Sequence, residues 1–520
     1  MIKFALRCGV TLAVACAGLM VLAATVQLPA QALPQRGDNL ADRAGVPAAM
    51  IRAEYLPLLA REDGQGTFPN CRLGIGLGGA PGYDVASLYM GWYLDWTAAL
   101  TPTRPNRSEY AQMIRLRPTF GGYTYTPSLA TLYAIVNANP GSIWLIGNEP
   151  DSPFQDNLTP ELYAEAYHDL YYLLKGRDPR AQIGAGGLVQ PTPLRFQYLN
   201  RVWQTYYDRY GHPLPADLWN IHSYMLREIT PEDPEAYPNG PLEVWGAYVP
   251  PGITATRGVL YNYSDQDNLT LFQQRIADFR TWMRDHGQRD KPLLITEYGI
   301  LFPEDYVDEH GVPFSQDRAA AFFRSSSDLL LNWRDSTIGN PLDGNRLVQR
   351  WAWYSLADLF YGGALFDPVT KMRRPLGDAF AAYAATLSQT VDLIAPYAAG
   401  DPPALIASGP STTATLKATI ANQGNFSVTQ VFTVTFWNGP PGSGSIIGTP
   451  QVVTRGLAGC GTAVDVRVKW SSLGVGMHTF YVQVDSSGRI AEVDESNNTT
   501  TGQVFIGTRR AYLPVVLHRP

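Results

Sequence analysis

Cysteine is scarce in this chain of 520 residues. Of four cysteines, Cys8 and Cys16 lie in an apolar amino-terminal segment, which leaves Cys71 and Cys460. Two thiols do not make a disulfide framework, and none of the cysteines has the spacing of zinc ligands. Because Cys71 and Cys460 fall in different predicted domains, we do not expect a disulfide between them. The seven histidines are scattered without an H-E-x-x-H pattern, so neither a catalytic metal nor a cofactor is predicted.

Basic runs are absent as well. The formal net charge is −6 and no stretch is rich in Lys and Arg, which argues against a nucleic-acid partner. A G-x-S-x-G motif is also missing, so a serine-hydrolase elbow is excluded. Residues 74–79 match G-x-G-x-x-G, but Ala80-Pro81-Gly82 follow and begin no helix, as a dinucleotide site would require.

Apolar residues and aromatic rings are abundant. Hydrophobic residues make up 45% of the chain and charged residues 17%, so the chain can bury a large core. Its length is too great for one core and indicates two or three domains. The 29 Tyr and 12 Trp fit either a large core or a sugar-stacking surface, and composition alone leaves both open.

The amino terminus has the plan of a secretory signal. Lys3 and Arg7 precede an apolar stretch over 8–26, and small residues suit cleavage after Ala32. We therefore predict a signal peptide over 1–32 and a secreted, extracellular protein, with cell-surface association left open. An uncleaved anchor helix is the alternative. No later segment is apolar enough to span a bilayer.

Residues 71–394 alternate between strand-like and helical patterns, after a lead-in at 33–70. Helical stretches include 160–174 and 268–286. Repeated eight times, this alternation predicts an α/β fold, a (β/α)8 TIM barrel, in which catalytic residues follow the strand ends. The expected strands are Leu73–Gly78, Leu88–Asp95, Met113–Arg117, Ile143–Gly147, Gln182–Gly186, Leu218–His222, Leu293–Thr296 and Leu347–Tyr354.

Residues 404–507 have a different texture. Helical patterns vanish, and Val/Thr/Phe alternation between Gly/Asn/Ser turns predicts an all-β sandwich. Residues 395–403 are predicted to be a linker, and 508–520 a C-terminal tail. The expected strands are Thr415–Ile420, Val428–Trp437, Ala463–Lys469 and His478–Val484.

Two glutamates each end an apolar run. Glu149 follows the run 142–148, and Glu297 follows the run 291–296. They are 297 − 149 = 148 residues apart, so only a large fold could bring them face to face. Two carboxylates facing across a cleft are the minimum needed to cut a glycosidic bond. For either glutamate alone, a strand-end residue paired with a helix N-terminus or an arginine is the simpler interpretation.

These segments resemble motifs of clan A retaining glycoside hydrolases, which are (β/α)8 enzymes. Residues 146–151 (I-G-N-E-P-D) and 295–299 (I-T-E-Y-G) are similar to the fourth- and seventh-strand motifs of that clan. The resemblance implies that Glu149 is the acid/base and Glu297 the nucleophile. It also implies that Asn148 hydrogen-bonds the sugar 2-hydroxyl.

The resemblance extends to sugar-contacting residues. Residues 218–224 (L-W-N-I-H-S-Y) are similar to the sixth-strand His-x-Tyr segment, and Trp353 matches the eighth-strand sugar platform. Residues 91–96 (G-W-Y-L-D-W) resemble the second strand of the glycosyl hydrolase catalytic-core family that contains endo-β-1,3-glucanases. A core histidine and barrel packing are the alternatives for His222 and Trp353. The implied substrate-binding residues are Asn148, His222, Tyr224, Tyr298, Trp353, Trp92 and Trp96.

The carboxyl-terminal region carries a second resemblance. Residues 490–499 (I-A-E-V-D-E-S-N-N-T), with 422–424 and 485–486, resemble the cell-adhesion-related domain found in bacteria (CARDB), an immunoglobulin-like sandwich. We interpret the acidic run as a turn that caps itself through Asx hydrogen bonds, with a calcium site as the alternative. The domain is expected to space or anchor the enzyme, or to contact carbohydrate or a cell surface.

These patterns together predict a secreted retaining β-glycoside hydrolase. It is expected to act by double displacement, as an endo-enzyme on a β-glucan-type polysaccharide or oligosaccharide. A non-catalytic carbohydrate-binding or adhesion protein on a degenerate barrel is the alternative, and a transglycosylase using the same residues is a third. An insertion at 227–267, which is rich in aromatic residues, could cover or extend the cleft.

Overall fold

The computed structural model describes residues 70–508, except 79, 231–232, 234–245, 359, 408 and 455. The predicted signal peptide lies outside the described residues, as do all but the last residue of the lead-in and all but the first residue of the tail. Among the described helices, none is long and apolar enough to cross a membrane.

The amino-terminal part of the described chain forms a curled sheet of mostly parallel strands. Eight of the nine pairings in the strand order β3-β2-β1-β12-β11-β8-β7-β6-β4-β5 are parallel, and β5 forms an antiparallel hairpin with β4. The strands are β1 Leu73–Gly76, β2 Trp92–Leu94, β3 Glu109–Tyr110, β4 Gln112–Thr119, β5 Gly122–Thr126, β6 Ile143–Asn148, β7 Gln182–Leu188, β8 Leu218–His222, β11 Leu293–Tyr298 and β12 Arg350–Trp353.

Six α-helices cover the outside of this sheet. Five of them begin after a Ser, Thr or Asn whose side chain accepts a hydrogen bond from a backbone N–H of the first turn, which satisfies a group the helix itself leaves unpaired. The helices are α1 Leu129–Ala138, α2 Pro160–Arg177, α3 Pro193–Tyr210, α4 Leu269–Asp285, α5 Gln316–Asn332 and α6 Pro375–Thr386.

The expected eightfold alternation is wrong in its first two connections. They contain only the 3-10 turns Val85–Leu88 and Pro105–Arg107. Pro102 and Pro105 lie in the second connection, where proline disfavours a helix over the residues before it. Between β8 and β11, the insertion adds two short parallel strands, β9 Arg227–Ile229 and β10 Gly246–Tyr248.

Residues 393–507 form a β-sandwich with its own apolar core. Its strand order is β16-β15-β18-β19-β13-β14-β17. The strands are β13 Leu393–Ile406, β14 Thr412–Asn422, β15 Phe432–Asn438, β16 Ser445–Val453, β17 Thr462–Leu473, β18 Gly476–Gln483 and β19 Thr499–Gly507.

The prediction of a linker over 395–403 is wrong, because these residues lie within β13. The first part of β13 pairs antiparallel with β14, and 404–406 pair parallel with β19. Pro402 and Pro403 therefore stand where the strand passes from one partner to the other. Proline is tolerated there because it lacks the N–H that a continuous ladder would need.

A disulfide joins Cys71 to Cys460, so the expectation that these residues stay apart is also wrong. The sandwich packs against the amino-terminal end of the parallel strands, where Cys71 lies two residues before the start of β1. Beside the disulfide, Arg72 makes a bidentate ion pair with Asp343 and donates to the Gln423 carbonyl of the sandwich. Sequence separation concealed this contact, because separation along the chain does not set distance in a folded unit.

Candidate active site

Glu149 and Glu297 lie at the carboxyl end of the parallel sheet, where the backbone of each departs from a regular strand. Glu149 follows β6 directly and has a φ of +44°. That left-handed conformation is uncommon for a residue other than glycine. Glu297 sits on β11 at an irregularity in the register, where it pairs with His222 of β8. Such irregularities re-aim a side chain, and both carboxylates point to one place.

His222 lies between the two carboxylates and is fully buried. Its Nδ1 is 2.8 Å from Glu149 Oε1, and its Nε2 is 3.3 Å from Glu297 Oε1 without a hydrogen bond of good geometry. One carboxylate oxygen of each glutamate and a ring nitrogen of His222 all lie within 4.8 Å of one another. The two carboxyl groups therefore have the close spacing of about 5 Å that a direct nucleophilic attack requires.

Charges within this trio shift the pKa values of Glu297 and His222. Burial raises the pKa of the Glu297 carboxyl, and the charge of Glu149 raises it further, whereas His222 opposes both effects. Burial alone would lower the pKa of His222, but the two glutamates outweigh burial and the pKa is raised. Since a charge on either group favours the opposite charge on the other, the protonation of His222 is linked to that of Glu297.

Glu297 is held by two further donors. The indole Nε1 of Trp96 donates to its Oε1, and the hydroxyl of Tyr224 donates to its Oε2 at 3.1 Å. Trp96 fits closely over β1 because Gly76 has no side chain, and a Cβ there would lie 3.0 Å from the indole. One oxygen faces an indole and the other a phenol, so the carboxylate is fixed in orientation.

Asn148 presents an unused acceptor beside Glu149. Its side chain is buried, its Nδ2 lies 3.4 Å from Gln155 Oε1, and its Oδ1 has no hydrogen-bond partner. Leaving a buried acceptor unpaired costs about 1–3 kcal/mol. A sugar hydroxyl could satisfy this atom, which agrees with the role implied by the resemblance.

Three predicted substrate-binding residues are not at the site. Tyr298 and Trp353 are fully buried, pack their rings together at 5.1 Å, and face the helices. Trp92 is fully buried inside the curled sheet and donates to the Arg72 carbonyl. For Tyr298 and Trp353 the reason is strand alternation: Glu297 and Ala352 point inward, so the residue after each points outward.

Tyr354 is the residue that sequence reasoning missed on the eighth strand. It directly follows β12, its ring lies 5.6 Å from Trp96 and 6.5 Å from Tyr224, and its hydroxyl donates to Asp358 at 2.9 Å. It therefore stands where Trp353 was expected. Alternation counted from the strand end would have identified it.

A buried ion network behind Glu149 was also missed. Arg195 of α3 is fully buried, lies 3.0 Å from Asp151 Oδ2, and lies 3.2 Å from Glu228 Oε1. Burial raises the pKa of Asp151 to about 6, against the opposing effect of Arg195. No pattern of spacing links these residues, so the sequence carried no signal for them.

The described residues contain one trio with the spacing of a metal site, and it is Glu149, His222 and Glu297. The hydrogen bond from His222 to Glu149 accounts for the same closeness without an ion. The sequence expectation that no metal takes part stays a prediction. Activity that survives treatment with EDTA would agree with it.

The acidic run of the sandwich forms a hydrogen-bonded turn. Glu492 accepts bonds from the Leu393 N–H and from Asn498 Nδ2, and Asp494 accepts a bond from the Ser496 N–H at 2.9 Å. These contacts agree with the self-capping interpretation. The calcium alternative is untested.

The sandwich matches a known family. Residues 404–502 match the sequence model of the CARDB family, which confirms that resemblance. One similar solved structure is the CARDB domain of a Pyrococcus furiosus protein in complex with di-metal ions. It is 20% identical, covers 24% of this chain and 100% of that chain, and has a TM-score of 0.20.

The parallel-sheet region is similar to solved glycoside hydrolases. One is an endo-β-1,3-glucanase of family GH128, subgroup I, from Amycolatopsis mediterranei, in complex with laminaritriose. It is 17% identical to this chain, the match covers 60% of this chain and 99% of that chain, and the TM-score is 0.40. Another is a subgroup II endo-β-1,3-glucanase of the same family from Pseudomonas viridiflava. It is 14% identical, the match covers 60% of this chain and 98% of that chain, and the TM-score is 0.39. No curated protein matches the chain.

Proposed function

We propose that the protein is a secreted retaining β-glycoside hydrolase that cuts within a β-glucan-type polysaccharide. The observation that carries the proposal is the spacing of Glu149 and Glu297, whose nearest oxygens lie within 4.8 Å of each other. An inverting enzyme needs carboxyl groups about 6.5–9.5 Å apart to admit a water molecule between them and the sugar. The closer spacing favours direct attack by one carboxylate.

We further propose that the curled sheet is a closed (β/α)8 barrel. Strands β3 and β4 are separated only by Ala111, and they pair with β2 and β6 respectively. Taken as one strand, they join β2 to β6 and close an eight-stranded ring, with β5 as a hairpin outside it. The sandwich is proposed to be immunoglobulin-like, as in the CARDB family.

In the first chemical step, an oxygen of Glu297 attacks the anomeric carbon and the bond to the leaving oxygen breaks. Glu149 gives its proton to that oxygen. Trp96 and Tyr224 orient the attacking carboxylate through their hydrogen bonds. Burial of Glu297 disfavours its charge, so charge dispersal in the transition state is favourable there.

In the second step, water attacks the anomeric carbon of the glycosyl–Glu297 ester. Glu149, now a base, accepts a proton from the water, and Glu297 leaves as a carboxylate. Esterification has removed the Glu297 charge, so the Glu149 carboxylate no longer faces a second negative charge when a base is needed. His222 contacts both carboxyl groups through its two ring nitrogens, so the charge of each carboxyl group acts on the same imidazole ring in both steps.

Export is proposed from the amino-terminal sequence and from the cysteine pair. A disulfide between Cys71 and Cys460 suits an oxidising compartment. The partner proposed for the active site is a polysaccharide or oligosaccharide, and the sandwich is proposed to contact carbohydrate or a cell surface.

The test is azide rescue of two variants on a panel of β-glucans, mannans and xylans. We expect Glu149→Ala to lose activity about 10²–10⁴-fold, and Glu297→Ala to lose at least as much. With an activated aryl substrate, azide should give the α-glycosyl azide from Glu297→Ala and the β-azide from Glu149→Ala. Glu165→Ala, an exposed helix residue, is the control. Near-normal activity in either site variant would contradict the roles.

The same panel separates the alternatives. Binding of a glucan without release of reducing ends would support the non-catalytic adhesion protein. Products longer than the substrate would support a transglycosylase.

A further inference from the structure

Two aromatic rings, one exposed and one half-buried, meet at the loop that carries Glu149. Phe154 is 54% exposed, although phenylalanine is a residue that folding normally buries. Its ring lies 4.7 Å from that of Tyr248, at an interplanar angle of 74°. Phe154 belongs to the loop 149–158 after β6, and Tyr248 ends β10 of the insertion. Two segments distant in sequence therefore meet in one aromatic surface.

The loop that carries Phe154 is closed on itself beside Glu149. The Ser152 N–H donates to the Glu149 carbonyl at 3.0 Å, and the Asp156 N–H donates to the Asn148 carbonyl at 3.3 Å. Phe154 is two residues from Ser152, a span of at most about 7 Å. The exposed ring is therefore kept close to the acid/base and cannot swing far from it.

Arg195 ties both ring-bearing segments together. Its guanidinium donates to the carbonyl oxygens of Asp151 and Tyr248, and its Nε donates to Glu228 of β9 at 3.2 Å. A fully buried cation is costly unless its partners are well placed. Here one buried cation fixes the backbones on which Phe154 and Tyr248 stand, so the ring pair has a rigid base.

Other aromatic residues of the insertion have a packing role instead. Tyr261 is buried, and Tyr263 packs against Phe302 and Tyr306 at 5.3 and 5.7 Å. Among the described aromatic residues of 227–267, Tyr248 is the one whose ring pairs with an exposed partner on the catalytic loop.

We propose that the Phe154–Tyr248 pair is a sugar-binding platform on the leaving-group side of the scissile bond. The inference rests on the proposed function. Glu149 protonates the oxygen that leaves, so the departing sugar must lie along the loop of Glu149. The C–H faces of a β-glucan unit are apolar and match an exposed aromatic surface. A separate group of aromatic residues surrounds Glu297, the other carboxylate. Trp96 and Tyr224 donate hydrogen bonds to it, and Tyr354 packs against Trp96.

The test compares two substrates in Phe154→Ala. A β-gluco-oligosaccharide needs a sugar on the leaving-group side, whereas an aryl β-oligoglucoside places the aryl group there. We expect kcat/KM on the oligosaccharide to fall about tenfold, which is the loss of about 1.4 kcal/mol of transition-state binding. On the aryl substrate it should stay within about twofold. Phe154→Tyr should retain activity on both.

Controls separate a failed inference from a failed function. Tyr207→Ala removes an exposed aromatic residue (48% exposed) from α3 and should leave both rates unchanged. Wild-type protein that cleaves neither substrate overturns the proposed function. Active wild type with an unaffected Phe154→Ala, or with equal losses on both substrates, overturns the platform alone. Transfer to an added glucan acceptor should also fall in Phe154→Ala relative to hydrolysis.

Discussion

The two ends of the parallel sheet treat buried charge in opposite ways. At the amino end, both oxygens of Asp343 are engaged, by Arg72 in a bidentate pair and by Arg346 and Gln349 in addition. At the carboxyl end, Asn148 Oδ1 and His222 Nε2 have no hydrogen-bond partner, and Glu149 remains partly exposed. The amino end is arranged for attachment of the sandwich. The carboxyl end has hydrogen-bonding atoms without a protein partner, which a ligand can pair with.

This difference has a consequence for mutation. A polar group of the active site that lacks a partner, such as Asn148 Oδ1, contributes little to stability, because its full set of partners is completed only with substrate bound. A charge at the amino end is paired within the protein, so its removal leaves a buried charge without compensation. We therefore expect stability changes at the amino end and activity changes at the carboxyl end.

The largest stability loss should come from Asp343→Ala. It would leave the buried guanidiniums of Arg72 and Arg346 without their carboxylate, which costs about 3–5 kcal/mol. Urea unfolding measures this cost, and kcat of the folded fraction should be unchanged. Asp317→Ala, an exposed residue in the first turn of α5, is the control, with a change within about 0.5 kcal/mol. A drop in kcat of the folded variant would break the comparison.

The second-largest stability loss should come from removing the disulfide. Cys71→Ser with Cys460→Ser removes a link across 389 residues. The cost is about 2–4 kcal/mol because the unfolded chain gains freedom. Thiol titration of the unfolded wild type should find both cysteines oxidised. Free thiols at both positions would contradict the link, and altered substrate specificity in the double variant would show that the two ends are coupled.

Much of this division could be predicted from the sequence. The runs before Glu149 and Glu297 are apolar because both faces of a parallel strand are buried, and each run stops where the strand leaves the core. Trp353 was misplaced because Ala352, and not Trp351 or Trp353, faces the inside of the curled sheet, so Tyr354 is the next residue directed to the site. The Arg72–Asp343 and Arg195–Asp151 pairs join distant segments, and no local pattern encodes such pairs.

At the carboxyl end, Gly187→Ala should displace His222. A Cβ there would lie 2.8–3.0 Å from side-chain atoms of Asn220 and His222. Because small misplacements of catalytic groups are costly, we expect kcat to fall about tenfold. Gly176→Ala in α2, where a Cβ meets nothing within 4 Å, is the matched control. Equal kcat in the two variants would show that His222 does not position the glutamates.

The smallest effect concerns pH at the sandwich. Burial raises the pKa of Glu492 to about 7, while its bonds from Leu393 and Asn498 act in the opposite direction. The folded state then binds more protons than the unfolded state between about pH 4.5 and 7, so stability falls as pH rises through that window. Glu492 is only half-buried, and solvent screening reduces the effect.

We expect Glu492→Gln to lessen the drop in melting temperature between pH 5 and pH 8 by about 1–2 °C. Asp151, with a pKa of about 6, and His222 lie at the carboxyl end and should keep their own contribution in this variant. If the drop in melting temperature is unchanged in Glu492→Gln, the pH dependence of stability belongs to the carboxyl end alone. If the drop disappears, the pH dependence belongs wholly to the sandwich.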